Sequence, residues 1–135
     1  MQRLQTYIIE DSPMIRDNLI ATLEELTPVQ VAGTSDGESA ALVALGPHGP
    51  DIDLVIIDIF LREGTGLGVL RQLAEQHHRA KRIVLSNYTT PDMRLRCLEL
   101  GADRVFDKSH EIDALISYCG QLSTDASAML AVSPS

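Results

Sequence analysis

The chain contains no tryptophan, and its aromatic residues amount to only 4% of 135. Aliphatic side chains must therefore fill any core, and a hydrophobic content of 44% is enough for one domain of ordinary size. Positive charge is also scarce: 11 Lys and Arg stand against 19 Asp and Glu, a formal net charge of -8. That balance argues against a direct nucleic-acid-binding module, which carries a basic patch. It leaves room for a partner that binds DNA, and acidic charge can steer a basic partner. The two cysteines, Cys97 and Cys119, lie far apart and outside any CxxC or Cys/His pattern. Two reduced thiols are a simpler reading than a disulfide framework or a zinc site. No apolar run approaches the roughly 20 residues of a membrane span. The opening MQRLQTYIIED is too short and too acidic for a signal peptide. These absences predict a cytoplasmic protein without membrane attachment. No Gly-rich GxxxxGK[ST] loop occurs, which disfavours a nucleotide hydrolase.

What is present alternates. Residues 4–9 form an apolar run that ends at Glu10 and Asp11. Ser12-Pro13 suits a helix start, and Ile15, Leu19, Leu23 and Leu26 follow at helical spacing up to Thr27-Pro28. Residues 29–33 read as an edge-type strand, and 38–45 as a helix closed by Gly46. The run DLVIIDI at 53–59 is almost continuously β-branched or aliphatic, the pattern of a strand buried on both faces of a parallel sheet. A helix over 67–77 carries Leu67, Leu70, Leu73 and Ala74 on one side. Residues 82–85 and 104–106 read as short strands. Helices from Pro91 to Leu100 and from Ser109 to Leu122 complete the series. Ile112, Leu115, Ile116 and Cys119 are the stripe of the last helix. Five βα units predict the α/β class, a doubly wound (βα)5 three-layer sandwich on a five-stranded parallel sheet. In such sheets the ligand site lies beyond the carboxyl ends of the strands, where the strand order switches.

Glu10 and Asp11 fall just after the first strand, Asp58 at the end of the third, Ser86 after the fourth and Lys108 after the fifth. Each alone is unremarkable: a helix cap, a turn carboxylate, a serine, a surface lysine. Together they are a chemical set. Three adjacent carboxylates repel one another unless protonated or bound to a cation. All-oxygen ligation suits Mg²⁺ (or Mn²⁺), which binds through one or two carboxylates plus phosphate oxygens. Asp58 can then act as a nucleophile on phosphorus and form an aspartyl phosphate. Lys108 and the Ser86 hydroxyl can neutralise or hydrogen-bond the phosphoryl oxygens. A phosphatase with an aspartyl nucleophile needs a second carboxylate two residues further on, and that position is Phe60.

These residues and their surroundings resemble the receiver domain of two-component response regulators, over about residues 4 to 122. The resemblance is carried by YIIEDSP, by DLVIIDIFLREGTGLGVL with Gly66 eight residues after Asp58, by LSNYTTPDM and by GADRVFDKS. It implies a flavodoxin-like fold and a phosphorylation-operated signalling switch rather than an enzyme. Asp58 would accept a phosphoryl group from a histidine kinase or phosphotransfer protein, and the domain would assist its own phosphorylation and dephosphorylation. Glu10 and Asp11, with Asp58 and the backbone carbonyl of Phe60, would hold Mg²⁺. Ser86 and Lys108 would contact the phosphoryl group, and movement of Ser86 would reshape the face formed by the fourth helix, fifth strand and fifth helix. The family usually has an aromatic switch residue three positions before the lysine. Here that position is Val105, with Phe106 beside it, and Phe106 reads as core. Asn87, Tyr88 and Phe60 are bulky neighbours of the site. Phe60 and Tyr88 sit where they would screen an acyl phosphate from water, which predicts slow self-dephosphorylation.

A receiver domain over 1–123 leaves 124–135 as a frayed or disordered tail, although the helix can also run on through Ala128 and Leu130. No residues remain for an output domain. The expectation is a stand-alone receiver acting on a downstream protein. The alternatives are the receiver fragment of a longer DNA-binding regulator and a receiver-like adaptor that is never phosphorylated. Two copies can pair through the fourth and fifth helices by charges such as Arg94, Arg96, Glu99, Arg104, Asp107 and Asp113. A solvated surface is the simpler account of most of these.

Overall fold

The structure is a computed structural model that describes residues 3–87 and 89–132, with 123–132 as backbone alone. Ten elements alternate: β1 (Leu4–Ile9), α1 (Pro13–Leu26), β2 (Val29–Ser35), α2 (Glu38–Ala44), β3 (Leu54–Ile57), α3 (Gly66–Glu75), β4 (Lys81–Ser86), α4 (Pro91–Glu99), β5 (Arg104–Asp107) and α5 (Ile112–Val132). All strands pair in parallel, in the order β2-β1-β3-β4-β5. The order reverses between β1 and β3, so their carboxyl ends define the crevice of a doubly wound sheet.

The central strand explains the layering. Leu54, Val55, Ile56 and Ile57 are all buried, as a strand covered on both faces requires. Alternate side chains serve opposite layers. Leu54 and Ile56 join Leu19, Leu23, Leu115, Cys119 and Phe106 on the side of α1 and α5. Val55 and Ile57 join Ala41, Val69, Leu70, Leu73 and Cys97 on the side of α2, α3 and α4. Each fully buried aliphatic side chain contributes about 1.5–3 kcal/mol. The cysteines occupy opposite layers and are free, and burial pushes the Cys119 thiol up to about 12.

Local chemistry accounts for the differences from the sequence pattern. In α1 only Leu19 and Leu23 are buried, while Ile15 and Leu26 face outward at the helix ends. The final helix begins at Ile112 rather than Ser109. The Asp107 carboxylate accepts Ser109 N–H at 2.7 Å and His110 N–H at 3.1 Å, which folds 107–110 into a turn first. The same helix continues to Val132, past the end expected at Leu122. Residues 124–132 are therefore helical backbone rather than a frayed tail. Ala126, Ala128, Met129, Leu130 and Ala131 are strong helix formers and account for the extension. Residues 133–135 lie outside the described residues.

Candidate functional site

Glu10 follows β1 and Asp58 follows β3, neighbouring strands in parallel register up to Ile9 and Ile57. Backbone bonds fix both: Asp58 N–H donates to Ile9 O at 3.0 Å, and Glu10 N–H to Ser35 O at 3.0 Å. Ser86 ends β4 opposite Asp107 in β5, and Lys108 N–H donates to Ser86 O at 3.0 Å. The four strand ends thus deliver Glu10, Asp11, Asp58, Ser86, Asn87 and Lys108 to one cleft of about 190 Å³. Among the described residues, every site residue expected from sequence lies here except Val105 and Phe106. Tyr88 lies outside the described residues. Val105 and Phe106 are buried in opposite core layers, at 8% and 1% exposure. Phe60 lines the cleft and is half exposed.

The Lys108 ammonium lies between two carboxylates. It donates to Glu10 Oε1 and, at 2.9 Å, to Asp58 Oδ2. The remaining carboxylate oxygens are also held: Glu10 Oε2 accepts Ser12 N–H at 3.1 Å, and Asp58 Oδ1 accepts Phe60 N–H at 3.3 Å. Burial and the adjacent Asp58 charge raise the Glu10 carboxyl above its ordinary range, against the opposing pull of Lys108 and the Ser12 N–H. Burial alone would lower Lys108, yet its two carboxylate partners raise it overall, so it stays an ammonium. Three carboxylates and one ammonium still leave an excess of negative charge.

That excess, and two further observations, test the cleft as a cation and phosphoryl site. Glu10, Asp11 and Asp58 each offer an oxygen within 4.8 Å of the others. This all-oxygen set fits a hard divalent cation. Ser86 Oγ is buried with no hydrogen-bond partner. A buried hydroxyl without a partner needs an explanation, and a ligand oxygen in the cleft supplies one.

Gly66 allows this geometry. A Cβ there would lie 2.2 Å from Asp58 O and 2.9 Å from Ile57 Cγ2. Only glycine lets α3 start against the Asp58 peptide, and Gly66 N–H donates to Ile59 O at 2.9 Å. Sequence reasoning missed the clasp that holds the loop after Asp58. Glu63 accepts Ser39 N–H at 2.9 Å and Ser39 Oγ at 3.1 Å. Glu38 returns the favour to Thr65 N–H at 2.8 Å, and Thr65 is bridged to Phe60. No motif announces such pairs. The only cue was that Glu38 opens a helix whose N-cap, Gly37, has no side chain to offer.

Residues 6–119 match the family model described as the response regulator receiver domain. The chain belongs to that family, a signalling domain of two-component systems. A protein of Picosynechococcus named "Probable transcriptional regulatory protein" is 33% identical over 119 residues, 85% of this chain and 47% of that one. The chain spans about half the length of the curated relatives it matches. The Francisella response regulator 1452 receiver domain superposes with a TM-score of 0.80 at 21% identity, covering 92% of this chain and 99% of that one. A Burkholderia pseudomallei response regulator, solved with a phosphorylated aspartic acid and a calcium ion, superposes with a TM-score of 0.73 at 19% identity. It covers 97% of this chain and 75% of that one. Among the described residues no helix is long and apolar enough to cross a membrane.

Proposed function

We propose that this receiver domain is a Mg²⁺-dependent phosphorylation switch with Asp58 as its acceptor. One observation carries the reading: Glu10, Asp11, Asp58 and Lys108 share a cleft with a buried, unpartnered Ser86 hydroxyl. An Asp58 carboxylate oxygen attacks the phosphorus of a phosphohistidine on a sensor kinase or phosphotransfer protein. The P–N bond breaks, the imidazole leaves with its electron pair, and Asp58 becomes an acyl phosphate. Glu10, Asp11 and Asp58, with the Phe60 carbonyl, would hold the cation, which neutralises charge on the transferring group. Lys108, which donates to Asp58 Oδ2 at 2.9 Å, would turn to a phosphoryl oxygen, and Ser86 Oγ would donate to another. The Burkholderia protein of the same fold is described with a phosphorylated aspartic acid, which accords with this chemistry.

The test uses acetyl phosphate and Mg²⁺ with intact-mass detection. Wild type should gain one acid-labile phosphoryl group and Asp58→Asn none. No adduct in wild type, or an equal one in Asp58→Asn, would leave the adaptor reading. Phe60 lines the cleft and is half exposed. Phe60→Asn should therefore shorten the phosphoryl lifetime several-fold by admitting water, as followed by loss of the adduct with time; an unchanged lifetime removes that role.

The output is a downstream protein that reads the altered face of α4, β5 and α5. A second arrangement, the receiver portion of a longer regulator, is favoured by the roughly twofold greater length of the curated relatives. Both use the same switch, in the cytoplasm, with the kinase as upstream partner.

A further inference from the structure

Between Ile59 and Gly66 the loop after β3 has no buried residue, and Leu61 packs partly on the core. The core therefore does little to fix this loop, and polar contacts with the start of α2 take that part. Glu38 N–H donates to Glu63 O at 3.0 Å. The Glu63 carboxylate accepts Ser39 N–H and Ser39 Oγ with separate oxygens. It thereby caps α2, whose own N-cap is Gly37. In return, Glu38 Oε1 accepts the N–H of Thr65, and Thr65 Oγ1 caps α3 by accepting Gly68 N–H at 3.0 Å. Gly64 and Gly68 make room for Glu38. A Cβ on Gly64 would lie 2.3 Å from Glu38 Cβ, and one on Gly68 2.5 Å from Glu38 Oε2.

We infer that Glu38 and Glu63 are positioning residues for the proposed cation and phosphoryl site: by fixing Thr65 they hold the Phe60 segment against Asp58, and so set the affinity for Mg²⁺. This role rests on the cation reading given above. The contacts run without a gap. Thr65 pairs with Phe60 as an antiparallel bridge. Phe60 N–H donates to Asp58 Oδ1 at 3.3 Å, while Gly66 N–H ties the far end of the loop to Ile59 O. The same Phe60 offers the backbone carbonyl read above as a cation ligand. The cation cluster comprises Glu10, Asp11 and Asp58, so the two glutamates act through the loop rather than as ligands. Glu63 also lines a recess of about 90 Å³ with Asp11, Asp36 and Arg62, so its charge and its hydrogen bonds need separate readouts. Residues that hydrogen-bond metal ligands typically carry about 10–100-fold in affinity, and the clasp, standing further out, should carry about threefold or more.

The test measures Mg²⁺ affinity of the full chain by amide shifts, beside urea midpoints, in wild type, Glu38→Ala, Glu63→Ala, Glu38→Gln and Glu63→Gln. Both alanine variants should bind Mg²⁺ about threefold or more weakly, and their metal-free Asp58 and Phe60 amides should move. Glutamine keeps an acceptor oxygen for the Thr65 or Ser39 N–H and can donate to Ser39 Oγ. Both glutamine variants should therefore bind near wild type although the charge is gone. Ser39→Ala removes one bond of the clasp while favouring the helix, and should weaken Mg²⁺ binding about twofold. It decides the matter where alanine at 38 or 63 prevents folding, and unchanged affinity there overturns the role. Alanine variants that lose urea stability but bind Mg²⁺ as wild type does would make the clasp a fold contact only. Glutamine variants as weak as the alanine ones would make charge, not position, the cause. Either result overturns the positioning role and leaves Asp58 as acceptor. A wild type with no Mg²⁺-dependent amide shift overturns the cation reading and the positioning role together.

Discussion

Replacing Lys108 with methionine is expected to destabilise the domain by about 3 kcal/mol in the absence of divalent cations, and added Mg²⁺ should restore much of that loss. The ammonium is the positive charge shared by Glu10 and Asp58, at side-chain exposures of 11%, 4% and 9% respectively. Removing one partner of a buried ion pair costs roughly 3–5 kcal/mol, because the charge left behind has neither water nor a counterion. The low end applies here. The Glu10 carboxyl is already raised by burial and by Asp58, and losing the opposing pull of Lys108 raises it further, which eases its protonation. A cation that binds the folded carboxylate cluster, and not the unfolded chain, stabilises the fold by mass action. The rescue should therefore saturate with Mg²⁺ and exceed any stabilisation of wild type. Urea midpoints in chelator and in rising Mg²⁺ would measure both terms. An undiminished midpoint in chelator, or a loss that Mg²⁺ leaves untouched, would show that the carboxylates are not the cation site.

The same cluster shows which parts of the site sequence could disclose. Glu10, Asp11, Asp58, Ser86 and Lys108 stand at strand ends that hydrophobic runs mark clearly. A parallel sheet brings such ends together whatever the loops do. The strand boundaries differ from the pattern by only a residue or two: residues 53–59 became Leu54–Ile57, and 82–85 became Lys81–Ser86. Contacts between loops were not legible. Glu38 and Glu63 clasp the acceptor loop across 24 to 27 residues, and Arg94 reaches Glu111 across 17. Periodicity reports which face a residue takes, not which distant carboxylate it meets. Arg94 and Asp107 therefore read as two among several surface charges, although the fold engages both. The start of α5 was misplaced for a related reason. Asp107 looks like the last residue of a strand, yet its carboxylate organises the following turn.

Gly66→Ala should damage the domain out of proportion to one methyl group. Its Cβ would sit 2.2 Å from Asp58 O and 2.9 Å from the Asp58 carbonyl carbon, and a peptide cannot give way as a flexible side chain can. Gly66 is itself tied to Ile59 O and buried at the start of α3. The strain must therefore pass into the segment that carries Asp58. Overpacking of this kind costs roughly 1–3 kcal/mol. Here it should reach the upper part of that range, because backbone stands on both sides. Gly120→Ala is the matched control. Nothing lies within 4 Å of its Cβ, and it sits inside α5. Alanine there should stabilise by up to about 1 kcal/mol through helix propensity. The two substitutions add the same atom and should move the urea midpoint in opposite directions. Gly66→Ala alone should also weaken Mg²⁺-dependent fluoroberyllate binding, since the methyl displaces the carboxylate that receives it. Equal midpoints for the two variants, or intact binding in Gly66→Ala, would mean that α3 can draw back from Asp58 and that the glycine is not what sets the acceptor's position.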